Sequence, residues 1–180
     1  MASTGNAVVS DPVVSTQSAF VDGSFSLTDH QGKAVTAQSY RGRHVLLFFG
    51  FTHCRVVCPR NLAKLSKALD SLGSLADRVQ PLYVTVDPAR DTPQVMKAFL
   101  EQNYPRFTGL TGSAEQIEQA KKSFRVFARR KEDATDPDGY VVPHTAFTYV
   151  LGPTGSYLAH FSDGVSESEL AQRLRALIEI

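Results

Sequence analysis

The sequence predicts an α/β domain in which a central mixed β-sheet is flanked by helices. Two short apolar runs, residues 45–51 and 82–86, have the length and composition of buried strands, and each precedes a segment with helical spacing of apolar residues. Later, residues 146–151 and 156–161 flank a Gly-Pro-Thr-Gly turn, which is typical of an antiparallel hairpin. Parallel strands from the first pattern and antiparallel strands from the second together give a mixed sheet.

A second, shorter hairpin is predicted near the start of the domain. Residues 25–29 and 34–36 flank a polar turn that contains Gly32. Residues 1–18 are small, polar and weakly patterned, so we expect a flexible lead-in there and one domain over residues 19–180. A chain of 180 residues is long enough to bury one substantial core.

Capping residues and apolar spacing predict four helices. Pro59 fits the first turn of a helix that ends near Gly73, because its ring fixes φ and its missing N–H needs no partner there. The predicted N-caps of the later helices are Thr92, Ser113 and Ser166. We interpret residues 91–93 as the capping segment of the second helix. Strand–helix–strand–helix followed by a hairpin and a final helix is the thioredoxin-like order of elements. The added N-terminal hairpin indicates the peroxiredoxin-like variant of that fold.

Composition and charge argue against several classes of function. The formal net charge is +1, so bulk charge gives no reason to expect a nucleic acid or a membrane surface as partner. Basic residues cluster at 125–131, but four acidic residues follow within 132–138, which favours a solvated loop over a polyanion site. No apolar run reaches the length of a membrane-spanning helix and no signal-peptide pattern is present. We therefore expect membrane attachment only through an anchor absent from this chain.

The only two cysteines, Cys54 and Cys58, lie where the buried strand at 45–51 leads into the first helix. Open α/β sheets place their sites at this end of the strands, and residues i and i+4 face the same side of a helical turn, so both sulfurs can reach one ion. Helix N-terminal N–H groups lower thiol pKa values, so we expect thiolates, which bind soft metals and attack disulfides. The spacing has one residue more than the thioredoxin redox motif. A metal-binding or redox role nevertheless explains the placement of both cysteines better than a role as ordinary core residues does.

His144 is the favoured third ligand among the five histidines. It precedes the closing hairpin, at the position where thioredoxin-like proteins commonly have a cis-proline packed against their cysteines, and an imidazole there would face both sulfurs. His30 and His44 lie in polar surroundings, and His160 lies late in a strand. His53 neighbours the first cysteine, but adjacent residues of an extended segment point in opposite directions. A loop histidine without a ligand role is the alternative for His144.

Two thiolates and one imidazole favour copper. Cu(I) is soft and prefers sulfur, and Cu(II) can be held with an added water or another donor. Zinc also accepts sulfur and nitrogen, but structural zinc sites have four protein ligands, and the sequence offers no obvious fourth. We therefore expect copper rather than zinc, bound by Cys54, Cys58 and His144.

Three ordered motifs resemble the Sco/SenC family over nearly the whole chain, residues 20–180. The first is Phe-Thr-His-Cys…Cys-Pro at 51–59, and the second is Tyr-Val-Thr-Val-Asp-Pro-Ala-Arg-Asp-Thr-Pro at 83–93. The third is His-Thr-Ala-Phe-Thr-Tyr at 144–149. Their order and spacing make the resemblance specific.

The resemblance assigns copper ligation to Cys54, Cys58 and His144, and redox chemistry to the two cysteines. Family members help to assemble the dinuclear copper A centre of cytochrome c oxidase, so the resemblance implies a metallochaperone rather than an enzyme, with an accessory thiol–disulfide reductase activity. Its partners would be the copper A-bearing oxidase subunit and another copper chaperone or a thioredoxin-like reductase. Members are generally anchored to the bacterial or mitochondrial inner membrane with this domain on the oxidising side. We expect the bacterial periplasm here, in preference to the mitochondrial intermembrane space.

The chain departs from the family pattern at two places. Arg55, Val56 and Val57 stand where the family often has Pro-Asp-Val, and Pro143 stands where an acidic residue often precedes the histidine. All three ligand types are kept, so the departures bear on redox potential and partner choice. The segment 132–143 leads directly to the histidine, and we expect it to be mobile enough to bring the imidazole in or to release it.

Two other functions are alternatives to copper delivery. A thiol–disulfide oxidoreductase would use Cys54 and Cys58 alone, one to attack a partner's disulfide and the other to resolve the mixed disulfide. Such an enzyme has no need of an imidazole at position 144, where proline usually packs. A peroxidase of the peroxiredoxin group fits poorly, because that group carries Thr-x-x-Cys and an activating arginine elsewhere.

Overall fold

The computed structural model describes residues 21–54 and 57–179. The lead-in predicted over 1–18 lies outside the described residues, as do Arg55 and Val56, so the boundary between lead-in and domain stays a prediction. In the described ranges, no helix combines the length and the apolar character that crossing a bilayer requires.

Short strands and four α-helices alternate along the described chain. The strands are β1 (Ser26–Asp29), β2 (Ala34–Thr36), β3 (His44–Gly50), β4 (Val79–Thr85), β5 (Thr108–Thr111), β6 (Lys131–Glu132), β7 (Tyr140–Val141), β8 (Phe147–Leu151) and β9 (Tyr157–Ser162). The helices are α1 (Val57–Ser71), α2 (Pro93–Asn103), α3 (Ala114–Phe124) and α4 (Glu167–Ile178). The predicted strands and helices are therefore confirmed in their predicted order, with boundaries shifted by a few residues, whereas β5, β6 and β7 were not predicted.

Seven strands form one mixed sheet in the order β2-β1-β5-β4-β3-β8-β9. β3 pairs parallel with β4 and antiparallel with β8, and β8 pairs antiparallel with β9 as the predicted hairpin. β3 is thus an interior strand, and six of its seven residues are buried. The carboxyl end of β3, at Gly50, therefore has neighbouring strands on both sides. Open α/β sheets place their binding sites at such strand ends.

Two apolar cores cover the two faces of the sheet. Because side chains alternate along a strand, Leu46 and Phe48 belong to one core, and Val45, Leu47 and Phe49 belong to the other. Helices α1, α2 and α4 pack on the first face, and α3 packs on the second. Each large side chain buried in this way contributes about 1.5–3 kcal/mol relative to leaving it exposed.

The helix N-termini form as their sequences predict. The Thr92 hydroxyl accepts from the Val95 N–H at 3.3 Å, and Ser113 forms a reciprocal capping box with Gln116. The Ser166 hydroxyl accepts a backbone N–H at the start of α4 in the same way. These local hydrogen bonds satisfy N–H groups that the helix itself leaves unpaired.

Candidate metal centre

The two cysteines lie on either side of the junction between β3 and α1. The chain leaves β3 in a turn that is closed by the Cys54 N–H, which donates to the Phe51 carbonyl at 3.1 Å. The Cys58 N–H, in the first turn of α1, donates to Cys54 Sγ at 3.4 Å. Cys58 is fully buried, Cys54 is half-buried, and neither forms a disulfide. The pair therefore combines one sulfur in the core with one that a partner can approach.

A buried carboxylate fixes the turn that carries Cys54. The Thr52 N–H and hydroxyl donate to the Asp91 carboxylate at 3.0 and 2.5 Å, and the Thr85 hydroxyl donates to it at 2.7 Å. Burial raises the pKa of Asp91, while these donors act in the opposite direction. The cap expected from residues 91–93 is made by Thr92 alone. Asp91 instead ties the end of β4 to the cysteine turn, a role that sequence reasoning missed.

His144 lies against the buried cysteine. Its Nε2 is 4.0 Å from Cys58 Sγ and 3.0 Å from the Phe49 carbonyl oxygen, and its Nδ1 is 3.0 Å from the Val142 carbonyl oxygen. An isolated β-bridge between His144 and Ala128 holds the backbone in place just before β8. The fold thus brings together the three residues that the sequence singled out, although His144 is 86 positions from Cys58.

The three side chains are neighbours rather than a preformed cage. Within the described residues, no group of three His, Cys, Asp or Glu side chains is already arranged to hold a metal ion. His144 Nε2, the nitrogen nearest the sulfur, is engaged by the Phe49 carbonyl. Ligation through this nitrogen therefore requires the imidazole to exchange that carbonyl contact for a metal.

The pKa of Cys58 is raised far above its ordinary range, contrary to the expectation of thiolates at both positions. The hydrogen bond with Cys54 is the largest cause, and burial adds to it. The helix terminus does act at this site, but its N–H is directed at Cys54 Sγ. The raised pKa favours the thiol form of Cys58, which loses its proton when the sulfur binds a metal.

Other histidines have partners outside this site. His53 Nε2 lies 3.7 Å from the Asp138 carboxylate, in agreement with the prediction that its ring turns away from the neighbouring cysteine. His30 Nδ1 accepts the Gly109 N–H at 2.9 Å, which joins the first hairpin to β5. His160 contacts a tyrosine hydroxyl three residues away. These contacts are structural.

Arg90 holds the segment that leads to His144. Its guanidinium is only 9% exposed; it bonds to Asp87 at 2.6 Å and to Asp136 at 2.9 Å, and its Cζ lies 3.9 Å from the centroid of the Tyr140 ring. The segment 132–143 was expected to be a mobile loop. It contains the small β6–β7 hairpin, and this cluster ties it to the connection between β4 and α2. The sequence places Arg90 just after a strand that borders the site, but it does not reveal this contact, because Asp136 is 46 residues away.

A cleft of about 500 Å³ opens beside the more exposed sulfur. Its lining includes Cys54, His144, the apolar residues Phe51, Val141, Val142, Pro143 and Ala146, and the acidic residues Asp133, Asp136 and Asp163. A partner that enters this cleft would meet Cys54 and His144, whereas Cys58 does not line it.

Comparison with known proteins relates this chain to one family. A family model described as SCO1/SenC matches residues 13–179. Protein sco1 of Schizosaccharomyces pombe is 40% identical over 154 residues, which cover 84% of this chain and 59% of that protein. The structure of Bradyrhizobium japonicum ScoI with copper bound is 38% identical, with a TM-score of 0.78 over 87% of this chain and 99% of that chain. BsSco, a Sco-family cytochrome c oxidase assembly protein with an identified disulfide switch, is 27% identical, with a TM-score of 0.68 over 89% and 95%.

These matches span the described domain from the first hairpin to the last helix. The chain corresponds to about three fifths of the length of the S. pombe relative and of the bovine SCO2 homologue, which is 40% identical. The likeness to solved Sco structures confirms the predicted thioredoxin-like fold with its central mixed sheet. The chain therefore belongs to the SCO1/SenC family.

Proposed function

We propose that this chain is a copper metallochaperone that binds one copper ion through Cys54, Cys58 and His144. The observation that carries the proposal is the position of His144 Nε2, 4.0 Å from the buried Cys58 Sγ. The other sulfur, Cys54 Sγ, accepts the Cys58 N–H at 3.4 Å and belongs to the same site. Two sulfurs and one imidazole nitrogen therefore converge at the carboxyl end of β3.

The donor set selects copper over zinc. Thiolates and imidazole suit Cu(I), and Cu(II) is accommodated with one added water or another donor. Structural zinc takes four protein ligands, whereas the proposed set has three. The copper-bound state of Bradyrhizobium japonicum ScoI, 38% identical to this chain, supports the same assignment.

The receiving partner is the copper A-bearing subunit of cytochrome c oxidase. The half-buried Cys54 and the adjoining cleft give the partner's own ligands a route to the ion, so that copper moves by exchange of one ligand at a time. The link of BsSco to cytochrome c oxidase assembly supports this choice. We place the domain in the bacterial periplasm, tethered to the inner membrane. Its second partner is another copper chaperone or a thioredoxin-like reductase.

Thiol–disulfide exchange at the same cysteines is the second candidate function. The Cys54 thiolate attacks a partner disulfide and releases one partner thiolate; Cys58 then loses its proton, attacks the mixed disulfide and releases the second. Two electrons pass to the partner, and a Cys54–Cys58 disulfide remains. Neither cysteine is in a disulfide and one of them is half-buried, which favours this reaction, and the disulfide switch in BsSco supports it.

Anaerobic titration of the reduced protein with Cu(I), against a competing chelator, tests the copper site. We expect one tight equivalent, and we expect His144→Ala to weaken it by at least about tenfold, since a lost ligand costs 1.4 kcal/mol or more. His53→Ala is the matched control, because His53 adjoins Cys54 in sequence but turns toward Asp138. It should leave the affinity unchanged.

Two results would decide against copper delivery. Weak binding that does not depend on His144 would favour the thiol–disulfide function, which uses only Cys54 and Cys58. Tight binding without transfer of copper to an isolated copper A domain would contradict the proposed partner, while leaving the metal site intact.

A further inference from the structure

Tyr83 carries a buried hydroxyl with no hydrogen-bond partner. The side chain lies in β4 and is fully buried, and its Oη makes no hydrogen bond to any described residue. Its ring packs against Phe48 and Phe99, at centroid distances of 5.9 and 6.2 Å. An unpaired buried hydroxyl costs about 1–3 kcal/mol, so phenylalanine would fill this place in the core more favourably.

The unpaired hydroxyl faces the metal-binding sulfur of Cys58. The two groups meet across Gly50: a Cβ at that glycine would lie 2.6 Å from Tyr83 Oη and 2.9 Å from Cys58 Sγ. Gly50 is the last residue of β3, opposite Thr85 of β4. The absence of a side chain there allows the hydroxyl of one strand to approach the first turn of α1.

Metal binding to the sulfur decides how strong an acceptor this donor meets. A neutral thiol is a weak acceptor. A thiolate bound to a metal keeps its negative charge and is a much stronger acceptor for an O–H donor.

We propose that Tyr83 Oη donates a hydrogen bond to Cys58 Sγ when that sulfur is a metal-bound thiolate, and so tunes the affinity and electronic structure of the site. The proposal rests on the proposed function, because it requires Cys58 to be a ligand. Tyr83 then contacts a metal ligand without binding the metal itself. It lies in β4, whereas the three ligands lie at the β3–α1 junction and shortly before β8.

Tyr83→Phe tests this role with two measurements. We expect the affinity for Cu(I), titrated anaerobically against a chelator, to fall about three- to tenfold, since a hydrogen bond to a charged group is lost. In the Cu(II) form we expect the sulfur-to-copper charge-transfer absorption to move to longer wavelength, because the hydrogen bond lowers the energy of the sulfur electrons. A purely structural role would not move this band.

Tyr104→Phe is the matched control. Tyr104 also contacts the start of α1 with its hydroxyl, which donates to the Pro59 carbonyl at 3.2 Å, but it does not face the sulfur across Gly50. Its removal should leave the charge-transfer band in place. A second check uses the metal-free reduced protein, where Tyr83→Phe should unfold at the same or a higher denaturant concentration.

The outcomes separate this proposal from the proposed function. If the wild-type protein fails to bind copper tightly, the proposed function fails and this inference fails with it. If the wild-type protein binds copper and Tyr83→Phe keeps both its affinity and its absorption band, the hydrogen bond is absent and only this inference is overturned. A loss of metal-free stability in Tyr83→Phe would also count against it, because it would show that the hydroxyl already has a partner.

Discussion

At the scale of single residues, Gly50 shows how little space surrounds the buried sulfur. Gly50→Ala would place a Cβ 2.6 Å from the Tyr83 ring and hydroxyl and 2.9 Å from Cys58 Sγ. Overpacking of this kind costs about 1–3 kcal/mol, so we expect the free energy of unfolding to fall by that amount in denaturant titrations. The control is Gly164→Ala, where the nearest atom is Ser162 Oγ at 3.9 Å. Equal stability of the two variants would contradict this account of the packing.

The candidate ligands are predictable from sequence, whereas the residues that orient them are not. Cys54 and Cys58 are close in sequence and carry their chemistry in their side chains, and His144 is marked by its place before a hairpin. Asp91 and Arg90 look like ordinary residues around a helix cap, because their partners lie on distant segments. Such roles depend on tertiary contacts, which a single sequence does not reveal.

At the scale of secondary-structure elements, the Arg90 cluster joins the segment 132–143 to the sheet. In Arg90→Ala, the bond to Asp136 and the packing on Tyr140 are lost together. We expect the amide hydrogens of Asp138 and Gly139, which donate to Asp136, to exchange at least about tenfold faster. Native-state hydrogen exchange with mass or NMR detection measures this directly.

The control for that variant is another arginine with an exposed ion pair. Arg60 bonds to Asp163 at 2.8 Å, but its side chain is 61% exposed, and pairs of this kind contribute little. Arg60→Ala should therefore leave exchange in 132–143 unchanged. If Arg90→Ala also leaves the exchange rates unchanged, the segment 132–143 is held by its own turns. The connection between β4 and α2 then does not position His144.

Elements with strong periodicity are predicted well, and short strands are not. β3, β4 and the four helices follow from apolar runs and caps that need no partner to be recognised. β5 (Thr108–Thr111) contains threonine and glycine, and it becomes a strand because β4 and β1 pair with it on either side. The two-residue strands β6 and β7 form only against each other. The strand propensities of their residues do not predict these short strands, because pairing with neighbouring strands supplies most of their stability.

At the scale of the whole molecule, the candidate site joins parts of the chain that meet only in the folded state. Cys54 and Cys58 are four residues apart and stay together when the chain unfolds, so even an unfolded chain can chelate Cu(I) with both thiolates. His144 is 86 residues from Cys58 and reaches the sulfur through tertiary contacts, the pairing of β8 with β3 and the bridge to Ala128. The preference of copper for the native state over the unfolded state therefore depends mainly on His144.

This dependence predicts how copper changes the stability of the fold. A ligand that binds only the native state adds about 2.7 kcal/mol to the free energy of unfolding at a hundredfold excess over its Kd, and cysteine binding in the unfolded chain reduces that gain. We expect excess Cu(I) under anaerobic conditions to raise the unfolding midpoint of the wild-type protein and of His53→Ala to the same extent. In His144→Ala most of the gain should be lost, because the two cysteines bind copper in both states. An equal gain in His144→Ala would mean that the folded protein offers copper nothing beyond the cysteine pair, and that the imidazole 4.0 Å from Cys58 Sγ is not a ligand.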